Sequence, residues 1–285
     1  MDQEAIRSRI EKGLERDDVT LPIFNQVALE MQRLITAGNY SLNDIGKVIM
    51  RDPGLVSDVL KMANSSFYGG LSPAKTVQEA SVRLGAKSLY NLVTALTQKQ
   101  LYRSKKKAFQ TWMKPLWSHA LGVAFSSRWL SRVVGLQGQM EEAFMAGLLH
   151  DVGKLYVLRV VEDVEKELGE TLPADADFIS SLMDARHPEV GARYMKRLNM
   201  PEVYCIVAGG HHETEVTPNP SVLNVVRLVN QACNREGIGL KKLPEIQVEA
   251  TTEAIALKVG PDLVEELSQK LKDYIASLTQ LLGSG

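Results

Sequence analysis

All five histidines of this 285-residue chain, His119, His150, His187, His211 and His212, fall in its middle portion, and Asp151 directly follows the second of them. The order reads His, His-Asp, His, His-His. Imidazole is the commonest transition-metal ligand, and a carboxylate among several imidazoles can bridge two cations. Histidines kept only for packing would scatter, yet none occurs before residue 119 or after residue 212. Each position alone has an ordinary alternative, such as a core histidine bonded to a carbonyl or a solvated helix end. The joint order points to one metal site.

The neighbours refine this. His119 lies three residues after Leu116 and four before Val123, on the apolar face of a helix. His150-Asp151 ends the apolar run Phe144-Met145-Ala146-Gly147-Leu148-Leu149, so a buried helix could present both side chains at a core-lined cleft. A buried carboxylate is costly unless cations compensate it. Lys154, about one turn on, could hold a phosphate oxygen or pair with an acid. His187-Pro188-Glu189 reads as a helix start, with His187 near the N-cap. His211-His212 follows Gly209-Gly210. Neighbours on an ideal helix diverge by roughly 100°, so both rings reach one metal only if the helix ends there. Glu213 could orient an imidazole from behind. Nothing after Cys233 supplies a histidine, so that segment is given no part in the site.

The elements that must position these residues are helices. Val27, Met31, Leu34 and Ile35 share one face. Ser41 with Asp44 resembles a capping box, Asp52-Pro53 a cap followed by proline, and Thr76 with Glu79 a second box before a stop at Gly85. Gly69-Gly70 marks a loop and Pro173 a break. Further helices are predicted from about Pro115 to Val133, Glu141 to Leu149, 153 to 168, 177 to 185, 188 to 198, 201 to 209 and 221 to 233, with one more starting near Pro261. Strand alternation and hairpin turn pairs are missing. The chain reads as an all-α, multi-helix bundle: a helical leader over 1–20, a main domain over 21–235 and a helical extension over 236–285.

Net charge is −1, so no global field draws the chain to nucleic acid or an anionic membrane. Lys105-Lys106-Lys107 reads as a solvated loop or helix end. Cys205 and Cys233 lack CxxC spacing and read as reduced and buried, the pattern of a cytoplasmic protein. The start shows no signal peptide, and no apolar run nears the roughly 20 residues of a membrane helix.

Asp52-Pro53-Gly54-Leu55, Ala63-Asn64-Ser65-Ser66-Phe67-Tyr68 and Ala80-Ser81-Val82-Arg83-Leu84-Gly85 resemble the HDOD family, an HD-related output domain, and the similarity runs from about Leu21 to Cys233. The histidine order resembles the HD superfamily of metal-dependent phosphohydrolases, and the HD-GYP phosphodiesterases within it. The HDOD resemblance implies an all-helical regulatory domain of bacterial signalling proteins; with no fused receiver or output domain seen in the sequence, any partner protein is expected to be a separate chain. The HD resemblance implies that His119, His150 and Asp151 hold one metal, that Asp151, His187, His211 and His212 hold a second, and that Lys154 holds phosphate. Two positions depart from the pattern. Asn230 stands where a late aspartate ligand is expected; its amide oxygen can ligate but adds no charge. Thr214 to Pro218 carries no GYP segment, a departure that bears on cyclic-dinucleotide hydrolysis, while a phosphohydrolase or phosphodiesterase stays the alternative the HD resemblance implies.

Two divalent cations would bring about +4 and Asp151 returns −1, leaving about +3 for anions such as phosphate to offset. The imidazole-rich set favours iron, manganese, zinc or nickel, as one or two ions, over magnesium or calcium. Two functional classes follow. One is a metal-binding signalling module acting through protein, phosphate or nucleotide contacts. The other is a metal-dependent phosphohydrolase with Asp151 and Lys154 as its catalytic residues. A metal-free helical scaffold is the blandest reading.

Overall fold

Local capping starts the first helices where the sequence places them. The computed structural model describes residues 3–65, 67–68, 72–169, 176–213 and 221–282; Ser66, Gly69-Gly70, Pro173 and Thr214 to Pro218 lie outside them. The described residues form helices and no strands. The opening helices are α1 (Gln3–Leu14), α2 (Gln26–Ala37), α3 (Leu42–Ile49) and α4 (Pro53–Ala63). The Ser41 hydroxyl accepts from the Asp44 N–H, and the Asp44 carboxylate accepts the Ser41 N–H, closing the box ahead of α3. Asp52 accepts from the Leu55 N–H at 3.0 Å, with Pro53 where a missing N–H is harmless.

Helix α5 (Val77–Gln98) begins at Thr76, which accepts from Glu79 N–H, but the Glu79 carboxylate turns to the Lys75 N–H instead of completing a box. Gly85 does not end this helix. It takes φ 74° and ψ 164°, and helix resumes at once, so the chain kinks where a Cβ would be strained.

The segment carrying the HDOD resemblance does structural work. The Asn64 side chain pairs with the Ala74 backbone through both its amide atoms, at 2.6 and 2.8 Å, and Arg83 donates to the Asn64 side chain at 3.1 Å. Phe67 packs against Phe125 and Tyr274, with ring centroids 4.6 and 4.8 Å away.

The site is framed by α6 (Lys107–Val133), α7 (Met140–Leu149), α8 (Val152–Leu168), α9 (Ala176–Arg197), α10 (Glu202–Gly210) and α11 (Val222–Glu236), followed by α12 (Thr252–Leu257) and α13 (Pro261–Leu282). Glu141 locks α7 in place, accepting from Ser88 and Asn91 of α5 and from Arg128 of α6. Helix α6 packs on α7, α11 and α13, while α9 packs on α8 and α10. Lys106 and Lys107 do stand at a helix start, although Lys106 is paired with Glu165 and largely buried. Both cysteines are free and buried. No helix among the described residues is long and apolar enough to cross a membrane.

Besides the stop at Gly85, two predicted boundaries are wrong, and both of these fall at prolines. Helix α6 starts at Lys107, eight residues before Pro115, which sits inside it. Interior proline costs about 3 kcal/mol. Burial of Phe109, Met113 and Leu116 on one face outweighs that cost. Likewise α9 is one helix, not two: Pro188 lies inside it, and its buried face runs unbroken from Ile179 and Met183 to Val190 and Tyr194. His187 is therefore mid-helix, not near an N-cap.

Candidate metal centre

Four elements deliver the histidines. His119 projects from α6, His150 caps the C-terminus of α7, His187 sits mid-α9, and His211 caps α10, with His212 in the following turn. Asp151 occupies the corner between α7 and α8. All but His212 are buried. The end of α10 at Gly210 lets the rings of His211 and His212 lie together, with centroids 4.2 Å apart.

Close backbone approaches make the convergence work. A Cβ at Gly147 would stand 3.0 Å from the Val123 carbonyl oxygen, so only glycine lets α7 lie this close to α6. A Cβ at Gly153 would stand 1.9 Å from the His187 carbonyl oxygen.

Four rings are held the same way. The Nδ1–H groups of His119, His150 and His187 donate to the carbonyls of Ile238, Gly147 and Met183 at 2.8, 2.7 and 2.7 Å. His211 Nδ1–H is shared between the Val207 and Ala208 carbonyls at 3.1 and 3.0 Å. A carbonyl can only accept, so each Nδ1 carries the proton and each Nε2 presents a lone pair. Those lone pairs face inward. His119 Nε2 and His150 Nε2 are 3.2 Å apart, as are His187 Nε2 and His211 Nε2. With both nitrogens unprotonated, neither contact is a hydrogen bond.

Asp151 completes the arrangement. Its Oδ2 stands 3.5 Å from Nε2 of both His119 and His150. Its Oδ1 stands 3.3 Å from His187 Nε2 and 3.4 Å from His211 Nε2, and it has no hydrogen-bond donor although it is buried. Burial pushes this carboxyl up, but the Lys154 ammonium 2.6 Å away outweighs it and holds the carboxyl well below the usual range. Burial lowers His119, His150 and His211, opposed by Asp151. Partial desolvation of its ring, then His211 and His187, lowers His212, although this residue is otherwise exposed. The centre is thus a set of Lewis bases with the single ammonium of Lys154 against it.

Such a set fits a cation. Nitrogens bound to one ion at about 2.0–2.1 Å stand roughly 3 Å apart, close to the spacing of both imidazole pairs. Two ligand groups form within 4.8 Å limits: Asp151 with His187, His211 and His212, and His119 with His150 and Asp151. Each carbonyl behind a ring is the kind of outer partner that fixes a metal-ligating imidazole.

The remaining predicted residues fare differently. Asn230 is buried and lines one narrow cavity, about 60 Å³, with His119, Lys154 and His212. Lys154 pairs with Asp151. Glu213 is exposed, and its carboxylate lies back over Gly210, not behind a ring. The segment after Cys233, given no part by the sequence, does take one. Ile238 supplies the carbonyl behind His119, a Cβ at Gly239 would stand 3.0 Å from His119 Nδ1, and Leu240 and Lys241 line the cavity. Any residue offers a carbonyl, so this role left no side-chain signature. The glycines at 237 and 239 were its one trace.

An all-helical bundle whose helices gather imidazoles around one carboxylate defines a helical histidine–aspartate protein. The HDOD domain model matches residues 21–214, and the chain belongs to that family. An uncharacterized protein of Treponema pallidum (strain Nichols) is 28% identical over 208 residues, covering 71% of this chain and 39% of that protein. Ribonuclease Y of Rhodopirellula baltica is 24% identical over 213 residues, covering 70% and 35%. The chain thus spans well under half the length of these curated relatives. The crystal structure of a proposed metal-dependent phosphohydrolase from Shewanella amazonensis SB2B matches with a TM-score of 0.79 at 18% identity, covering 96% of this chain and 98% of that one. An HDOD domain protein of unknown function from Geobacter sulfurreducens matches at 0.71 and 18%, covering 97% and 99%. At these identities the likeness establishes the fold.

Proposed function

We propose that this chain is a metal-binding HDOD signalling module. Its histidine–aspartate centre holds one or two divalent transition ions with a phosphate-type ligand, and the bundle acts through contacts with a partner protein. The reading rests on one observation: four Nε2 lone pairs and a donorless Asp151 oxygen converge in a buried space. His119, His150 and Asp151 would hold one ion; Asp151, His187, His211 and His212 the other. The free, buried thiols fit a cytoplasmic setting.

A bound divalent ion supplies Lewis acidity and lowers the pKa of water. The chain's own residues do the rest: the carbonyls orient the rings, and Lys154 places an ammonium beside the centre. That lysine, together with the near-complete ligand set, also supports a second reading as a phosphohydrolase. The test is to load metal-free protein separately with iron(II), manganese, zinc and nickel, measure retained ion, and screen phosphomonoesters, nucleotides and cyclic dinucleotides. Retention without turnover is the expected result. Turnover moves the assignment to the hydrolase, and loss of every ion on gel filtration ends the metal reading.

Asn230 gives a finer test. Asn230→Asp restores a charge beside His119, and the ion on that side is expected to bind about tenfold tighter, about 1.4 kcal/mol, by chelator competition. Unchanged affinity would place Asn230 outside the ligand set.

A further inference from the structure

The cavity leading to the centre is crossed at its mouth by an ion pair. Lys241 Nζ lies 3.0 Å from Asp184 Oδ2, and both residues line the cavity with Lys154, His119, His212 and Asn230. Lys241 comes from the turn after α11, beyond the residues that the family model matches. Asp184 lies on α9, three residues before His187. The turn is pinned: Ile238 N–H donates to the Cys233 carbonyl at 2.9 Å, and Leu243 N–H to the Asn234 carbonyl at 2.8 Å. Lys241 is therefore presented at a fixed place.

We propose that the Lys241–Asp184 pair is a latch over the centre, opened by a phosphate-sized anion that takes Lys241 from Asp184. The inference rests on the metal-binding reading for the identity of the site, but its own elements are these two side chains. Three facts carry it. The cavity, about 60 Å³, admits a tetrahedral oxyanion and lies far below the roughly 300–1,000 Å³ of pockets for drug-sized ligands. Its lining holds two ammonium groups, Lys154 inside and Lys241 at the mouth, so an anion between them meets positive charge from both ends. The latch is weakly held: its side chains are 44% and 40% exposed, and exposed pairs are worth at most about 1 kcal/mol. A competing anion can displace a carboxylate held so loosely, whereas Lys154 is only 12% exposed and is bound to a buried partner.

The test measures inorganic phosphate binding by titration calorimetry to the full chain, after metal content has been determined on each preparation. Lys241→Ala is expected to weaken phosphate about tenfold, the worth of one charge-assisted hydrogen bond, and Lys241→Arg to restore most of it. Asp184→Asn is expected to tighten phosphate roughly threefold by releasing the latch. In the double variant that gain disappears. An unchanged affinity in Lys241→Ala, a gain from Asp184→Asn that survives without Lys241, or no phosphate binding by the wild type overturns the latch. Loss of ions from the wild type strikes the metal reading instead, and the Lys241 comparison can still be made on the metal-free protein.

Discussion

Gly153→Ala is expected to force α8 and α9 apart and to empty the half of the centre that contains His187. The new Cβ would stand 1.9 Å from the His187 carbonyl oxygen, 2.7 Å from its carbon and 2.9 Å from its Cα. These are backbone atoms, so no rotamer change relieves the clash. Nor is there slack on the facing side, where a Cβ at Gly191 would already be 3.3 Å from the Gly153 nitrogen. Overpacking of this kind costs about 3 kcal/mol. The functional effect should be larger than the thermodynamic one. His187 Nε2 works at 3.2 Å from His211 Nε2, and metal sites tolerate errors of only about 0.2 Å. The expected outcome is a lower urea midpoint for the metal-free protein and loss of the ion shared by His187, His211 and His212, with the ion on His119 and His150 retained. Gly138→Ala is the control, because a Cβ there meets nothing within 4 Å. If Gly153→Ala keeps wild-type stability and metal content, the α8–α9 crossing does not position His187.

What the sequence made legible was local or combinatorial. Capping chemistry acts within four residues, so Ser41, Asp52 and Thr76 fixed their helix starts without knowledge of the rest. The histidine order was informative because five scarce residues had to agree, and the structure brings all five into contact around Asp151. The two misread helix starts share a cause. Pro115 and Pro188 were taken as helix starts on local grounds, but long buried faces carry α6 and α9 through them. The placement of His187 failed with its helix boundary. The role of residues 238–241 is tertiary: a carbonyl and a glycine act by position, and position comes from packing against α6 and α11. Lys241 and Asp184 are ordinary surface charges until the fold sets them across one cavity.

Asp151→Asn is expected to weaken both ion sites strongly while leaving the fold standing, a pattern no single histidine change should give. Asp151 is the one residue common to the two ligand groups. Its oxygens divide the labour: Oδ2 faces His119 and His150, and Oδ1 faces His187 and His211. The amide keeps the shape but removes the charge that makes cation binding favourable among neutral imidazoles. Affinity at both sites should fall roughly a hundredfold or more, toward the upper end of what supporting residues contribute. Stability of the metal-free protein responds to opposing changes. Lys154 loses its partner at 2.6 Å, which is costly for a mostly buried ammonium. The new NH₂, however, can donate to an imidazole lone pair that now has no donor. A net loss of about 1 kcal/mol is expected, and Lys154→Met added to Asp151→Asn should recover it by removing the stranded charge. His212→Ala, by contrast, should weaken only the ion held by His187 and His211, because His212 belongs to that group alone. Metal analysis of the three variants separates the cases. Should Asp151→Asn keep both ions at wild-type affinity, the carboxylate is a bystander and the imidazoles bind without it.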